Sequence, residues 1–98
     1  MADLRFEWDE RKNRSNRRKH GIDFREAQSV FYDDYALMID DPEHSDIEDR
    51  FVLMGLSTAL RILVVCHCYR KNGDVIRIIS ARKADAEERE LYGKRRGR

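Results

Sequence analysis

The stretch RILVVCHCYRKNGDVIRIISARK, residues 61–83, decides the fold. Its first ten residues are almost continuously apolar, the mark of a strand covered on both faces. Val75 to Lys83 alternates as a returning strand would. Asn72-Gly73 lies between them, and this dipeptide favours a two-residue hairpin turn because both residues tolerate positive φ. The segment therefore predicts an antiparallel hairpin at the centre of a sheet. With that turn, His67 faces Ile78, Cys68 faces Arg77, Val65 faces Ser80 and Leu63 faces Arg82. Side chains alternate between faces. Arg61, His67, Ser80 and Arg82 are then expected on one side, and Cys66, Cys68 and Arg77 on the other. A register slip of one residue would split the first group.

Upstream, Phe51 to Leu56 reads as a third strand, and Ala36 to Ile39 as a short one ended by Asp40-Asp41-Pro42. Residues 40–49, DDPEHSDIED, read as a polar loop. The alternation of Leu4, Phe6 and Trp8 suits an edge strand. Asp9 caps a helix that Gly21 stops in the left-handed conformation. That helix lacks an apolar stripe, so it is either solvated or docks its basic face on something anionic. Asp23-Phe24-Arg25-Glu26 reads as a capping box, with Ile22 and Ala27 as its staple, opening an amphipathic helix to about Phe31. Downstream, Asp85-Ala86-Glu87-Glu88 is a second capping box, and its helix runs through Leu91 and Tyr92. The tail GKRRGR, residues 93–98, is expected to fray. The order is strand, helix, helix, four strands, helix. The expected class is α+β: one small domain over residues 1–98, with a twisted, mainly antiparallel sheet and helices mainly on one face.

Ninety-eight residues suffice for one modest core. Charged residues reach 40%, well above the usual share of about 25%. The net charge of +1 averages separated blocks: +3 over residues 1–25, −8 over 26–50 and +6 over 51–98. Arg11, Lys12, Arg14, Arg17, Arg18 and Lys19 follow one another with no acid between them. Such a block can hold phosphates, or it can be a solvated helix face. No apolar run approaches the length of a membrane span, and MADLRFEWDE lacks a signal-peptide pattern. Two cysteines two positions apart cannot staple a secreted fold, so a reducing, cytoplasmic setting is expected.

The polar residues of the hairpin admit two readings each. Arg77 and Arg82 either pair with helix carboxylates such as Glu88 or form guanidinium forks for a phosphate. His67 is either a satisfied core histidine or a catalyst. His20, after the basic run, favours a helix C-terminus in any case. His44, in the acidic loop, has no local support. Cys66-His67-Cys68 makes a poor zinc site, since alternation sends His67 away from both thiols and no second cysteine pair exists. Neither a metal nor another cofactor is expected.

The stretches FEWDERKNRSNRRKHGIDFREAQSVF, DPEHSDIEDRFVLMGLS and IRIISARKADAEERELY together resemble the BrnT family of type II toxin–antitoxin toxins, over about residues 6–92. The family's Lys-His-Gly falls on Lys19, His20 and Gly21. Its acidic-then-Arg motif falls on Glu48, Asp49 and Arg50, and its central-strand Arg and His fall on Arg61 and His67. Its Arg-Ile-Ile-Ser-Ala-Arg spans Arg77 to Arg82, and its closing Glu-Arg and Tyr are Glu88, Arg89 and Tyr92. The resemblance implies a RelE-like fold and a ribonuclease that arrests translation. It also implies a small DNA-binding antitoxin, BrnA, as the partner that neutralises the toxin and links it to operator DNA. Metal-free RNA cleavage needs a base for the 2′-hydroxyl, a cation on the phosphate and an acid for the leaving oxygen. His67 with Arg61, Ser80 and Arg82 is the expected catalytic group, with His20 or Tyr92 supplying the second proton transfer. Arg11, Lys12, Arg14, Arg17, Arg18, Lys19, Arg50, Arg77 and Lys83 are expected to hold RNA. The alternatives are a non-catalytic nucleic-acid-binding module and an inactive co-repressor of the antitoxin.

Overall fold

The computed structural model describes residues 3–40 and 50–97. Five strands form one sheet: β1 (Arg5–Glu7), β2 (Leu37–Ile39), β3 (Phe51–Leu56), β4 (Ile62–Arg70) and β5 (Val75–Lys83). Their spatial order is β1-β5-β4-β3-β2; the β1–β5 pair is parallel and all others are antiparallel. Three helices complete the fold: α1 (Glu10–His20), α2 (Phe24–Ser29) and α3 (Ala86–Arg95), with one turn of 3-10 helix at Val30–Tyr32. The class and the element order agree with expectation. The acidic stretch with His44, Glu48 and Asp49 lies outside the described residues.

The hairpin turn forms as its sequence requires. Asp74 N–H donates to Lys71 C=O at 3.1 Å, and Asn72 and Gly73 have φ of 58° and 92°. From Arg70↔Val75 to His67↔Ile78 the register is the expected one. It then shifts: Cys66 pairs with Ser80, Val65 with Ala81, Val64 with Arg82 and Leu63 with Lys83. Ile79 is the extra residue of a β-bulge. The bulge moves Ser80 and Arg82 to the face opposite His67, so the expected group of Arg61, His67, Ser80 and Arg82 is divided.

The front face carries Leu63, Val65, His67 and Ile78. It packs on Ile22, Phe24, Ala27 and Val30 from α2 and its flanks. On the back face, Val52, Met54 and Val64 pack against Ala84 and Tyr92, so α3 covers that face while α2 covers the other. α3 continues to Arg95, into the tail expected to fray. There the Arg96 guanidinium lies 4.9 Å from the centre of the Tyr35 ring.

The missing apolar stripe of α1 has a structural reason. Its buried residues are Asn13 and Asn16. Asn16 donates to Ile22 C=O at 2.9 Å and to Ala81 C=O at 2.8 Å, and accepts from Ala81 N–H at 3.0 Å. It thereby takes the place of a sixth strand at the free edge of β5, beyond the three residues that β1 pairs. Asn13 Oδ1 accepts from Phe24 N–H at 2.9 Å, tying α1 to the start of α2.

Candidate functional site

On the front face the expected catalytic residues are engaged in structure. Asp23 caps α2 by accepting from Arg25 N–H, but Glu26 does not complete the box. Its carboxylate instead takes the Arg61 guanidinium in a two-pronged contact, Nε to Oε2 at 3.0 Å and Nη2 to Oε1, and accepts from Ser57 Oγ at 2.7 Å. The Arg61 hydrogen bonds hold the Glu26 carboxyl below its ordinary range against the effect of burial. His67 is fully buried, edge-to-face with Phe31 at 4.7 Å. Its Nδ1 lies 3.2 Å from Val65 C=O, which can only accept, so Nδ1 carries the proton. Nε2 is left as an acceptor, 3.4 Å from Tyr69 Oη. Burial lowers the His67 pKa below 6.5, which keeps the ring neutral at pH 7. His67 therefore reads as a satisfied core histidine.

Tyr92 is also buried, and its hydroxyl donates to Asp33 Oδ2 at 2.6 Å. Burial, and then that carboxylate, push the phenol's pKa up. Asp33 accepts in addition from Leu56 N–H at 2.7 Å and Tyr35 N–H at 3.0 Å. Tyr92 thus fastens α3 to the β2–β3 end of the sheet. His20 is exposed at the C-terminus of α1, beside exposed Arg18 and Lys19. Arg11 and Arg14 are exposed on the same helix, and Arg17 pairs with Asp23 at 2.8 Å.

The back face is different. α3 covers only one end of it. At the other end a hollow of about 220 Å³ is lined by Lys12, Arg50, Cys68, Tyr69, Arg70, Arg77 and Ile79. Four of these seven residues are cations. Arg50 and Cys68 reach it by alternation with Val52 and Cys66, Arg77 by pairing with Cys68 across the hairpin, and Lys12 because α1 lies along the sheet edge. Arg77 is oriented by Glu7 of β1, at 2.7 Å. Further along the same face stand half-buried Ser80 and exposed Arg82, which forks onto Glu88 at 2.7 and 2.9 Å. The Arg82 hydrogen bonds are the main reason that the Glu88 carboxyl is held below its ordinary range. Lys83 is exposed at the end of β5.

Of the expected RNA-holding residues, Lys12, Arg50 and Arg77 meet in the hollow, with Ser80 and Arg82 on the same face. Arg61, His67 and Tyr92 do not join them. Arg70, which lies beside the turn, is the residue that sequence reasoning missed. Its parity with Cys68 on β4 was the available signal. A second hollow of about 250 Å³, lined by Ser29, Tyr32, Asp33, Leu56, Ser57 and Thr58, carries no cation. Among the described residues no three His, Cys, Asp or Glu side chains converge as metal ligands. No helix among them is long and apolar enough to cross a membrane.

Comparison with known proteins bears on the chain as a whole. The family profile described as "Ribonuclease toxin, BrnT, of type II toxin-antitoxin system" matches residues 8–88, which include every strand of the sheet but β1. A search of curated proteins gives no match. The chain is similar to the Brucella abortus ribonuclease toxin BrnT, whose crystal structure superposes with a TM-score of 0.65 at 25% identity, covering 85% of this chain and 99% of that one. Type II systems pair a toxin with an antitoxin, so membership implies such a partner. On the extent of the sequence match and the shared fold together, this chain belongs to the BrnT family of ribonuclease toxins of type II toxin–antitoxin systems.

Proposed function

We propose that this chain is a cytoplasmic endoribonuclease of RelE-like type that cleaves mRNA without a metal ion, arrests translation, and is neutralised by a BrnA-like DNA-binding antitoxin. Operator DNA is then met only through that antitoxin. One observation carries the reading: Lys12, Arg50, Arg70 and Arg77 converge on a single hollow of the sheet. Four cations around one concavity match a phosphodiester, and arginine forks match its paired oxygens.

In the reaction, the 2′-oxygen of one nucleotide bonds to phosphorus as the bond to the 5′-oxygen of the next breaks. The products are a 2′,3′-cyclic phosphate and a 5′-hydroxyl, with one proton leaving the nucleophile and one reaching the leaving oxygen. Negative charge accumulates on the non-bridging oxygens in the transition state, where fixed guanidinium groups act most strongly. Arg77, already oriented by Glu7, takes that role, while Arg82 and Ser80 line the path of the strand beyond it. His67 and Tyr92 support the sheet from within, and Arg61 locks α2 to β4. His20, exposed on α1, remains a candidate proton carrier, and the α1 cations hold the backbone without reading sequence.

The test is cleavage of end-labelled RNA in EDTA by protein freed of its partner, with Arg77→Ala and Arg61→Ala alongside. Fragments from wild type and Arg61→Ala, with at least about 10-fold fewer from Arg77→Ala, are expected. Salt-sensitive binding with no fragments, in buffer and in a translating extract alike, would leave a binding module and sink the enzyme reading.

A further inference from the structure

At one end of the sheet, cations and aromatic rings alternate along the chain. Arg50 immediately precedes Phe51, the first residue of β3, and Tyr69 and Arg70 are consecutive at the end of β4. Alternation turns the arginines to the back face and the rings to the front. The Phe51 and Tyr69 rings meet at 5.3 Å between centroids, and they are 40% and 42% exposed. Tyr69 also lines the basic hollow, so this ring joins the cations on one side to Phe51 on the other. From behind, Tyr69 rests edge-to-face on buried His67 at 5.4 Å, with its hydroxyl 3.4 Å from Nε2. Two rings held in place yet two-fifths open to water contribute less to the core than buried rings would. What they offer is a flat, sequence-tolerant contact for a nucleobase.

We propose that Phe51 and Tyr69 form a stacking platform for an unpaired base, whose adjoining phosphate sits among Lys12, Arg50, Arg70 and Arg77. The substrate is then single-stranded RNA. A duplex could place a phosphate in the hollow, but its bases have no free face to lay on the rings. This inference rests on the ribonuclease reading and narrows its substrate.

Binding is measured with a fluorescein-labelled 2′-O-methyl oligoribonucleotide, which cannot form the cyclic phosphate, so affinity is read apart from cleavage. The Phe51→Leu/Tyr69→Leu double variant keeps apolar volume and removes both rings. It should bind about 10-fold more weakly, with its salt slope unchanged because no phosphate contact is lost. Tyr69→Phe should bind as wild type does. Removing single bases along the strand should reveal one position where wild type loses the same factor and the double variant loses nothing further. This scan with wild type and Tyr69→Phe remains decisive even if the double variant does not fold. Equal affinity of wild type and double variant, or an abasic scan with no such position, would overturn the platform. Retained strand affinity with loss of the antitoxin would overturn it too, assigning the rings to the protein partner. If wild type binds no strand and also cleaves no RNA in a translating extract, the ribonuclease reading falls with it.

Discussion

The two faces of the sheet use the same residue types to opposite ends. On the front and along the free edge of β5, arginine, histidine and asparagine are engaged: Arg61 by Glu26, His67 by Val65 C=O and aromatic rings, and Asn16, at the edge, by the backbone of Ile22 and Ala81. On the back, Lys12, Arg50, Arg70 and Arg77 stand around an open hollow. A polar residue in strand sequence therefore says little about function until its face is known. A closed face demands that every polar group find a partner. An open one leaves charge available to a ligand.

The comparison breaks first at Asn16. Asn16→Ala leaves Ala81 N–H, Ala81 C=O and Ile22 C=O without their partners and should cost about 3 kcal/mol, read by urea denaturation. A loss below about 1 kcal/mol would show that water or α1 itself satisfies that edge. On the open face, Arg77→Ala should weaken RNA binding about 10-fold and lower the salt slope by about 1. Its stability should change by under about 1 kcal/mol, because the pair with Glu7 is half exposed. An unchanged salt slope would remove Arg77 from the phosphate contacts.

Arg61 sharpens the contrast from the closed side. Arg61→Met should cost about 1 kcal/mol at pH 7, after allowance for solvent screening, and leave RNA affinity alone. The sign follows from Glu26, whose pKa is lowered in the fold from an ordinary 4.5. Its contribution is full above that value and is lost as pH falls through the folded value. The deficit of the variant should therefore fade as pH falls below 4.5 and through the lowered folded value; a deficit constant with pH would contradict the pairing. The remaining test on the closed side concerns His67. Its pKa is depressed by burial, so the unfolded chain takes up the proton first as pH drops below 6.5. Stability should fall from there by at most about 1.4 kcal/mol per pH unit. The His67→Leu variant should show a flatter profile over pH 5–7.

Much of the fold was legible because its signals are local. Asp9, Gly21, the Asp85/Glu88 box and Asn72-Gly73 each act within a few residues, and each behaves as read. The site was legible only in part, since its membership depends on parity across a sheet. Ile79 differs in no chemical respect from Ile78, so nothing in the hairpin marks where the extra residue falls. Glu26 had two possible partners, and only the fold brings Arg61, thirty-five residues away, within reach. The burial of Asn13 and Asn16 was not legible, because burial of amides against a strand edge leaves no apolar periodicity.

The bulge also sets a rule for how this strand can change. Up to Ile78, even-numbered positions of β5 belong to the front; from Ser80 onward, odd-numbered ones do. A single deletion at Ile79 would close the bulge and leave Ser80 opposite Cys66 and Arg82 opposite Val64, whereas a residue lost between Ser80 and Arg82 with the bulge kept would send Arg82 into the layer that α2 covers. Length changes in β5 beyond the bulge are thus tolerated in twos, and a single loss keeps the phase where it removes the bulge itself. What keeps Arg82 on the back face is therefore the phase of β5 after the bulge, not the number of residues between the turn and Arg82.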